Sequence, residues 1–319
     1  MKIGILGASS KIAGDLIDGW SRPHEDELFL YGRDKSRLAV AFAPTGAAGC
    51  VRHIRDYADF GRDKLDAVIN FVGVGDPVRA AQMANSIFEV TRVYDDMAMA
   101  YVRAHEGCRY LFLSSGAVFG GDFTKPVDEN SVSVFSTNRN DPQQWYGQAK
   151  FTAECVHRAH QELAVTDIRV FNYFSRTQDL ASRFLMTDIV RHLLNGQTLK
   201  ANPSEMTRDY LHPADFRQLV EAALLSPPAN QALDCYSRAP VSKADLLSTL
   251  QERFGLAYQF DSAPAVVAST GTKANYYSRN RAAEALGYQP TRTSIDGISE
   301  EIAALIASNP SETRISQKL

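Results

Sequence analysis

The first fourteen residues constrain the fold of this chain more than any other stretch. Lys2-Ile3-Gly4-Ile5-Leu6 is a short apolar run suited to a buried strand. Gly7-Ala8-Ser9-Ser10-Lys11-Ile12-Ala13-Gly14 then leads into the helical apolar spacing of Leu16, Ile17 and Trp20. Strand, small-residue turn and helix in that order aim free backbone N–H groups and a helix N-terminus at a phosphate. A dinucleotide-binding turn needs small residues at three positions, and here they are Gly7, Ser10 and Ala13. Gly7, Ser9, Ser10, Lys11 and Ile12 are the first candidate cofactor contacts. A plain strand-to-helix turn has the same pattern, so the later strands must decide.

Leu28-Phe29-Leu30-Tyr31 reads as a second strand, ending in Gly32-Arg33-Asp34-Lys35-Ser36-Arg37. In an open parallel sheet the residue at this strand end meets the adenosine ribose, where an acid accepts from the 2′-hydroxyl and an arginine accommodates a 2′-phosphate. Arg33, helped by Arg37, therefore points to NADP(H) ahead of NAD; a solvated loop arginine is the plain alternative. His53 to Tyr57 reads as a third strand end that sets Asp56 and Tyr57 beside the adenine. Leu65 to Gly73 is nearly continuous in apolar residues, as a central parallel strand should be. Phe71 and Gly73 stand where the backbone approaches the cofactor. A helix is expected from about Val78 to Ala104, then a fifth strand, Arg109 to Leu113, ending in Ser114-Ser115-Gly116-Ala117-Val118-Phe119-Gly120. Ligands gather at the carboxyl ends of such strands, so these serines sit where a substrate would be.

The next stretch, Trp145-Tyr146-Gly147-Gln148-Ala149-Lys150, carries the acid–base candidate. Tyr146 and Lys150 are four apart, one turn along a helix face. An ammonium beside a phenol favours the phenolate and brings its proton into play nearer neutral pH. Such a phenol suits proton transfer at a carbinol or carbonyl oxygen. Among 13 tyrosines the spacing arises readily by chance, so its weight comes from the strand-five serines.

Length and charge bound the remaining choices. With 319 residues two domains are expected, and a net charge of -3 gives no electrostatic reason to expect nucleic acid or an anionic membrane as partner. No apolar run approaches a membrane span and the N-terminal run breaks at Gly7, so a cytoplasmic protein is expected. Cys50, Cys108, Cys155 and Cys235 lack paired spacing and suit reduced thiols. Glu154 and His157 have a metal-helix spacing, but without the second copy a dinuclear site needs, and no metal is expected.

Several segments together resemble the extended short-chain dehydrogenases/reductases of the NAD-dependent epimerase/dehydratase family, which modify nucleotide-linked sugars. These are the strand-five run (with Phe119 where a Tyr is usual), Tyr146 with Lys150 and Glu154, Arg169-Val170-Phe171-Asn172, Arg208-Asp209-Tyr210-Leu211-His212-Pro213-Ala214-Asp215, and Ala283-Glu284-Ala285-Leu286-Gly287-Tyr288-Gln289-Pro290. The resemblance implies an α/β fold: a Rossmann-type doubly wound parallel sheet with a smaller mixed α/β substrate lobe. The expected division is residues 1–174, with 208–240 returning to them, against 175–207 and 241–319. The resemblance also implies roles. Tyr146 handles the proton at the sugar oxygen, Ser115 bonds the same oxygen, Lys150 holds the cofactor ribose and lowers the phenol's pKa, and Asn172 and Arg208 meet the diphosphate. Dehydratases of the family carry an Asp-Glu pair after the strand-five hydroxyl, where this chain has Gly116-Ala117, so dehydration is not expected. The reading that follows from Arg33 is an NADPH-dependent reductase of a nucleoside-diphosphate 4-keto-6-deoxyhexose. The alternatives are a 4-epimerase with tightly bound NAD(P) and a non-catalytic NADP-binding regulator. A homodimer through the helices near 78–104 and 146–164 is implied by the same resemblance.

Overall fold

The computed structural model describes residues 1–22, 24–43, 50–74, 80, 82–121, 123–138, 141–182, 184–260 and 273–308. Seven strands, β1 (Lys2–Leu6), β2 (Glu27–Tyr31), β3 (Val51–Arg55), β4 (Ala67–Asn70), β5 (Arg109–Ser115), β6 (Val165–Val170) and β11 (Gln231–Asp234), form one sheet in the order β11-β6-β5-β4-β1-β2-β3. Every neighbouring pair is parallel. The chain leaves β1 toward one edge and comes back through β4 toward the other, which opens a crevice at the carboxyl end of β1.

Burial explains why these runs became strands. β1 and β2 are buried at four of five positions and β4 at all four, because both faces are covered. One face packs against α1 (Lys11–Asp18), α2 (Lys35–Ala41) and α6 (Pro213–Leu225), through Leu16, Ile17, Leu38, Phe216 and Leu219. The other face packs against α3 (Ser86–Ala104) and α4 (Trp145–Ala159), through Ala98, Met99, Val102 and Ala153. The doubly wound α/β arrangement is thus established. The expected start of the third helix, at Val78, lies outside the described residues.

A second core gathers α5 (Leu185–Asn195), α7 (Lys243–Phe254) and α8 (Ser294–Ser308) around Met186, Ile189, Leu247, Leu250 and Ile302. Small strand pairs edge it: β8 (Leu199–Ala201) lies along β13 (Tyr258–Phe260), and β9 (Thr207–Arg208) lies between β12 (Val241–Ser242) and β14 (Asn275–Tyr276). Between the two cores, β7 (Asn172–Tyr173) pairs with β10 (Tyr210–Leu211). Ala283 and Tyr288 are buried in the sheet-side core, where Tyr288 donates to the Tyr236 carbonyl at 2.6 Å, so this late stretch returns to the sheet. No helix among the described residues is long and apolar enough to cross a membrane.

Candidate active site

The carboxyl edge of the sheet collects most of the candidate residues. Gly7 follows β1 with φ +73°, and a Cβ there would lie 2.9 Å from the carbonyl carbon of Phe71 and the nitrogen of Val72. Only glycine permits both the left-handed turn and that contact. Ser10 caps α1, accepting from the Ala13 N–H at 3.3 Å, while the N–H groups of Lys11 and Ile12 in the first turn have no partner among the described residues. Ser9 and Lys11 are exposed beside them. The Gly7 N–H donates to the Tyr57 hydroxyl at 3.0 Å, and burial raises that phenol to about 12. Asp56 caps the turn at Tyr57–Asp59 by accepting from the Ala58 N–H at 3.0 Å. Arg33 is exposed past β2 and has no hydrogen bond or ion pair among the described residues; Arg37 is likewise exposed, in the first turn of α2. The Phe71 ring is buried and packs edge-on to Phe216, and its backbone faces the turn of Gly7.

At the end of β5 the acid–base candidates converge. A Cβ on Gly147 would stand 2.4 Å from the Ala117 carbonyl oxygen, so the glycine lets α4 come down onto the Gly116–Phe119 turn. That contact brings Tyr146 to Ser115. Burial raises the Tyr146 phenol, and a hydrogen bond from the side of Ser115 opposes the rise. The Ser115 hydroxyl also accepts from the Ala117 N–H at 3.2 Å and lies 3.3 Å from the Tyr276 hydroxyl.

Lys150 behaves differently from the sequence expectation. Its ammonium is buried, donates to the Leu113 carbonyl at 2.7 Å, and sits 4.1 Å from the centre of the Phe112 ring. Burial pulls it down to about 8, against the pull of Asp95, Asp167 and Glu154. The ammonium is therefore engaged by the strand, and the phenol's pKa is raised where a lowering was expected. Gly73 lies beside it: a Cβ there would be 3.3 Å from the Lys150 Nζ.

The diphosphate candidates divide. Asn172 spends its amide donors on the Asp209 and Tyr276 carbonyls, at 3.2 and 3.1 Å, and so fastens β14 to the sheet. Arg208 is buried, donates to the Thr207 and Ala274 carbonyls at 2.9 and 3.3 Å, and is lowered by burial. Sequence reasoning missed its companions. Lys273 stands 4.4 Å from the centre of the Tyr276 ring and 4.8 Å from that of Phe123; burial and then Arg208 bring it down to about 8. Lys243 is buried, donates to the Asn202 carbonyl at 2.6 Å, and is lowered by burial and by Arg208. None of the three cations has a carboxylate partner among the described residues. Tyr276 was also missed, and it joins this cluster to Ser115. No spacing in the sequence could have found it, because it lies 161 residues from Ser115 in a two-residue strand.

Other candidates prove to be structural. Glu154 holds Arg169 in a bidentate pair and accepts from Ser114 at 2.5 Å, and His157 lies between two carboxylates. His212 caps α6 and meets Glu301 at 3.1 Å, and Arg176 is held by the same glutamate.

This sheet, turn and hydroxyl–phenol–ammonium set define a dinucleotide-dependent enzyme of the extended short-chain dehydrogenase/reductase type. The family model for the NAD dependent epimerase/dehydratase family matches residues 6–235, and the chain belongs to that family. A search of curated protein sequences found no match. Similar solved structures include a UDP-N-acetylglucosamine 4-epimerase from Methanobrevibacter ruminantium in complex with UDP-N-acetylmuramic acid (TM-score 0.78, 14% identity, 96% of this chain and 98% of that one covered). A UDP-glucose 4-epimerase from Thermotoga maritima with UDP-glucose gives TM-score 0.77 at 15% identity, covering 97% and 99%. A UDP-glucuronic acid 4-epimerase from Bacillus cereus with UDP-glucuronic acid and NAD gives 0.74 at 16%, covering 97% and 100%.

Proposed function

We propose that the protein is a nucleotide-sugar 4-epimerase that works with a retained nicotinamide dinucleotide. The observation that carries this reading is the meeting of Tyr146 and Ser115 at the end of β5 with no second acid–base pair beside them among the described residues. A Cβ on Gly116 would stand 2.3 Å from the Phe171 ring, so the position where a dehydratase needs its acid has no room for one. Chemistry at one carbon remains. Tyr146 takes and returns the proton at the C4 oxygen, Ser115 holds that oxygen, and Lys150 fixes the ribose side of the site. The dinucleotide supplies hydride exchange when bound. Its phosphates fit the open N–H groups of α1 and the crowded Gly7 turn, which admits backbone but no side chain. Arg208, Lys243 and Lys273 take the sugar nucleotide's diphosphate, a dianion suited to three cations that have no carboxylate partner among the described residues.

The similar solved structures support epimerisation and NAD in preference to the reductase and NADP expected from the sequence. One observation keeps the reductase as a second reading: Arg33 stands unpaired where a 2′-phosphate would be met. Incubation with UDP-hexoses, followed by NMR of the sugar and by nicotinamide absorbance, separates the two. Epimerisation gives the 4-isomer at constant absorbance. Consumption of NADPH in step with a 4-keto sugar, with no isomer formed, would establish the reductase instead.

A homodimer through α3 and α4 completes the proposal. Val93 and Val156 on these helices are 45% and 40% exposed. Light scattering should give twice the 35.2 kDa chain mass, and a monomer mass would refute it.

A further inference from the structure

Beneath the candidate site a chain of buried polar side chains crosses from the helices to the cofactor edge of the sheet. His157 of α4 is 0% exposed, with Nδ1 2.6 Å from Asp167 Oδ1 on β6 and Nε2 2.9 Å from Asp95 Oδ1 on α3. The same Asp95 oxygen accepts from the Tyr110 hydroxyl of β5 at 2.7 Å, and that hydroxyl accepts from Asn70 Nδ2 at 2.9 Å. Asn70 Oδ1 in turn accepts from the Val72 N–H at 2.9 Å. The other Asp167 oxygen accepts from Arg158 at 2.7 Å.

The direction of each proton from Val72 to Asp95 is determined. The Val72 N–H only donates, so the Asn70 oxygen faces it and the amide nitrogen faces Tyr110. Tyr110, accepting from that nitrogen, has its single proton left for Asp95. Both ring nitrogens of His157 then face carboxylate oxygens, and the arrangement is satisfied when both carry protons. The charge inventory agrees: Lys150, His157, Arg158 and Arg169 oppose Asp95, Glu154, Asp167 and Asp234 across α3, α4, β6 and β11, balancing only with His157 as imidazolium. A neutral ring would set the lone pair of one ring nitrogen against a buried carboxylate oxygen.

The peptide at the end of the chain is the one that matters to the site. Phe71–Val72 is what Gly7 packs against, and Gly73 is what Lys150 packs against. One anchored turn thus spaces the phosphate-binding turn from the buried ammonium. We propose that Asp95, His157 and Asp167 form a charged clamp that positions the Phe71–Gly73 turn for the dinucleotide. These are positioning residues, and the proposal rests on the cofactor reading above.

Two measurements test it. In the full-length wild-type chain, 15N NMR of the imidazole nitrogens, with His157 assigned by loss of its signals in His157→Gln, should show both nitrogens protonated at pH 7.5. One unprotonated nitrogen there would overturn the charged clamp. NAD and NADP titrations by protein fluorescence should then show Asp95→Asn weakening the dinucleotide Kd roughly three- to thirtyfold. Circular dichroism would confirm that the variant is folded, and Asp95→Glu should restore part of the loss. Equal affinity in wild type and folded Asp95→Asn would overturn the positioning role while leaving the cofactor reading intact. A wild-type chain that carries no dinucleotide through purification and binds neither on titration would overturn both.

Discussion

Two buried charged regions of this molecule behave in opposite ways. Under the sheet, Lys150, His157, Arg158 and Arg169 face Asp95, Glu154, Asp167 and Asp234, and apart from Lys150 each cation is hydrogen-bonded to a carboxylate. In the lobe, Arg208, Lys243 and Lys273 have backbone carbonyls and aromatic faces for company and no carboxylate among the described residues. Desolvating a charge costs several kcal/mol unless a partner offsets it, so among the described residues the first region is largely compensated and the second is not. The proposed function uses the first as architecture and the second as the place of a substrate anion. Ser115, Tyr146 and Tyr276 stand between them.

The largest expected effect lies at that junction. Tyr146→Phe removes the proton that the proposed mechanism moves at the substrate oxygen, and turnover should fall roughly 10²- to 10⁴-fold while nucleotide-sugar binding is retained. Steady-state kinetics and calorimetry of the variant check both halves. Next comes the contrast itself. Arg169→Ala strands Glu154 and Asp234 without their cation and should cost about 3–5 kcal/mol of stability. Arg208→Met removes a charge with no carboxylate partner among the described residues, so the protein without ligand should lose far less stability than it does in Arg169→Ala. Equal losses in thermal unfolding would erase the distinction between the regions.

A smaller effect is expected from pH. Burial would lower His157, but its hydrogen bonds to Asp167 and Asp95 outweigh burial and raise it to about 9. Its ordinary value is near 6.5, so its stabilisation is whole below that pH and is lost as pH rises through about 9. Lys150 and Lys273, lowered to about 8, act in the opposite sense above that pH, because the unfolded chain then binds more protons than the native one. Unfolding free energy should therefore fall between about pH 6.5 and 8 and rise again above about pH 8, where two lysines outweigh one histidine. His157→Gln should flatten the fall.

The two regions also differ in how far they were legible in the sequence. The parallel sheet was readable because strands covered on both faces are apolar throughout, and Ser115, Tyr146 and Lys150 because the strand end and the helical spacing place them locally. Arg208 was found through its motif. Lys273 and Tyr276 were not found, since a two-residue strand far from Ser115 has neither periodicity nor local spacing to betray it. Asn172 has the chemistry of a phosphate donor, yet its amide spans two backbone carbonyls, which only the meeting of β7, β10 and β14 decides. Asp95 precedes Asp96, and nothing in that pair says which one turns inward to His157. Lys150 was expected to act on the phenol, but the Leu113 carbonyl is nearer to hand.

The central claim, that lobe cations with no carboxylate partner among the described residues await a substrate anion, is most directly tested by calorimetry of UDP binding at pH 8 in buffers of different ionisation enthalpy. A dianion beside Lys273 must raise the affinity of that amine for its proton, so binding should be accompanied by proton uptake, and Lys273→Met should abolish the uptake and weaken binding roughly tenfold. UDP binding of unchanged affinity in the variant, with no proton taken up by the wild type, would contradict it.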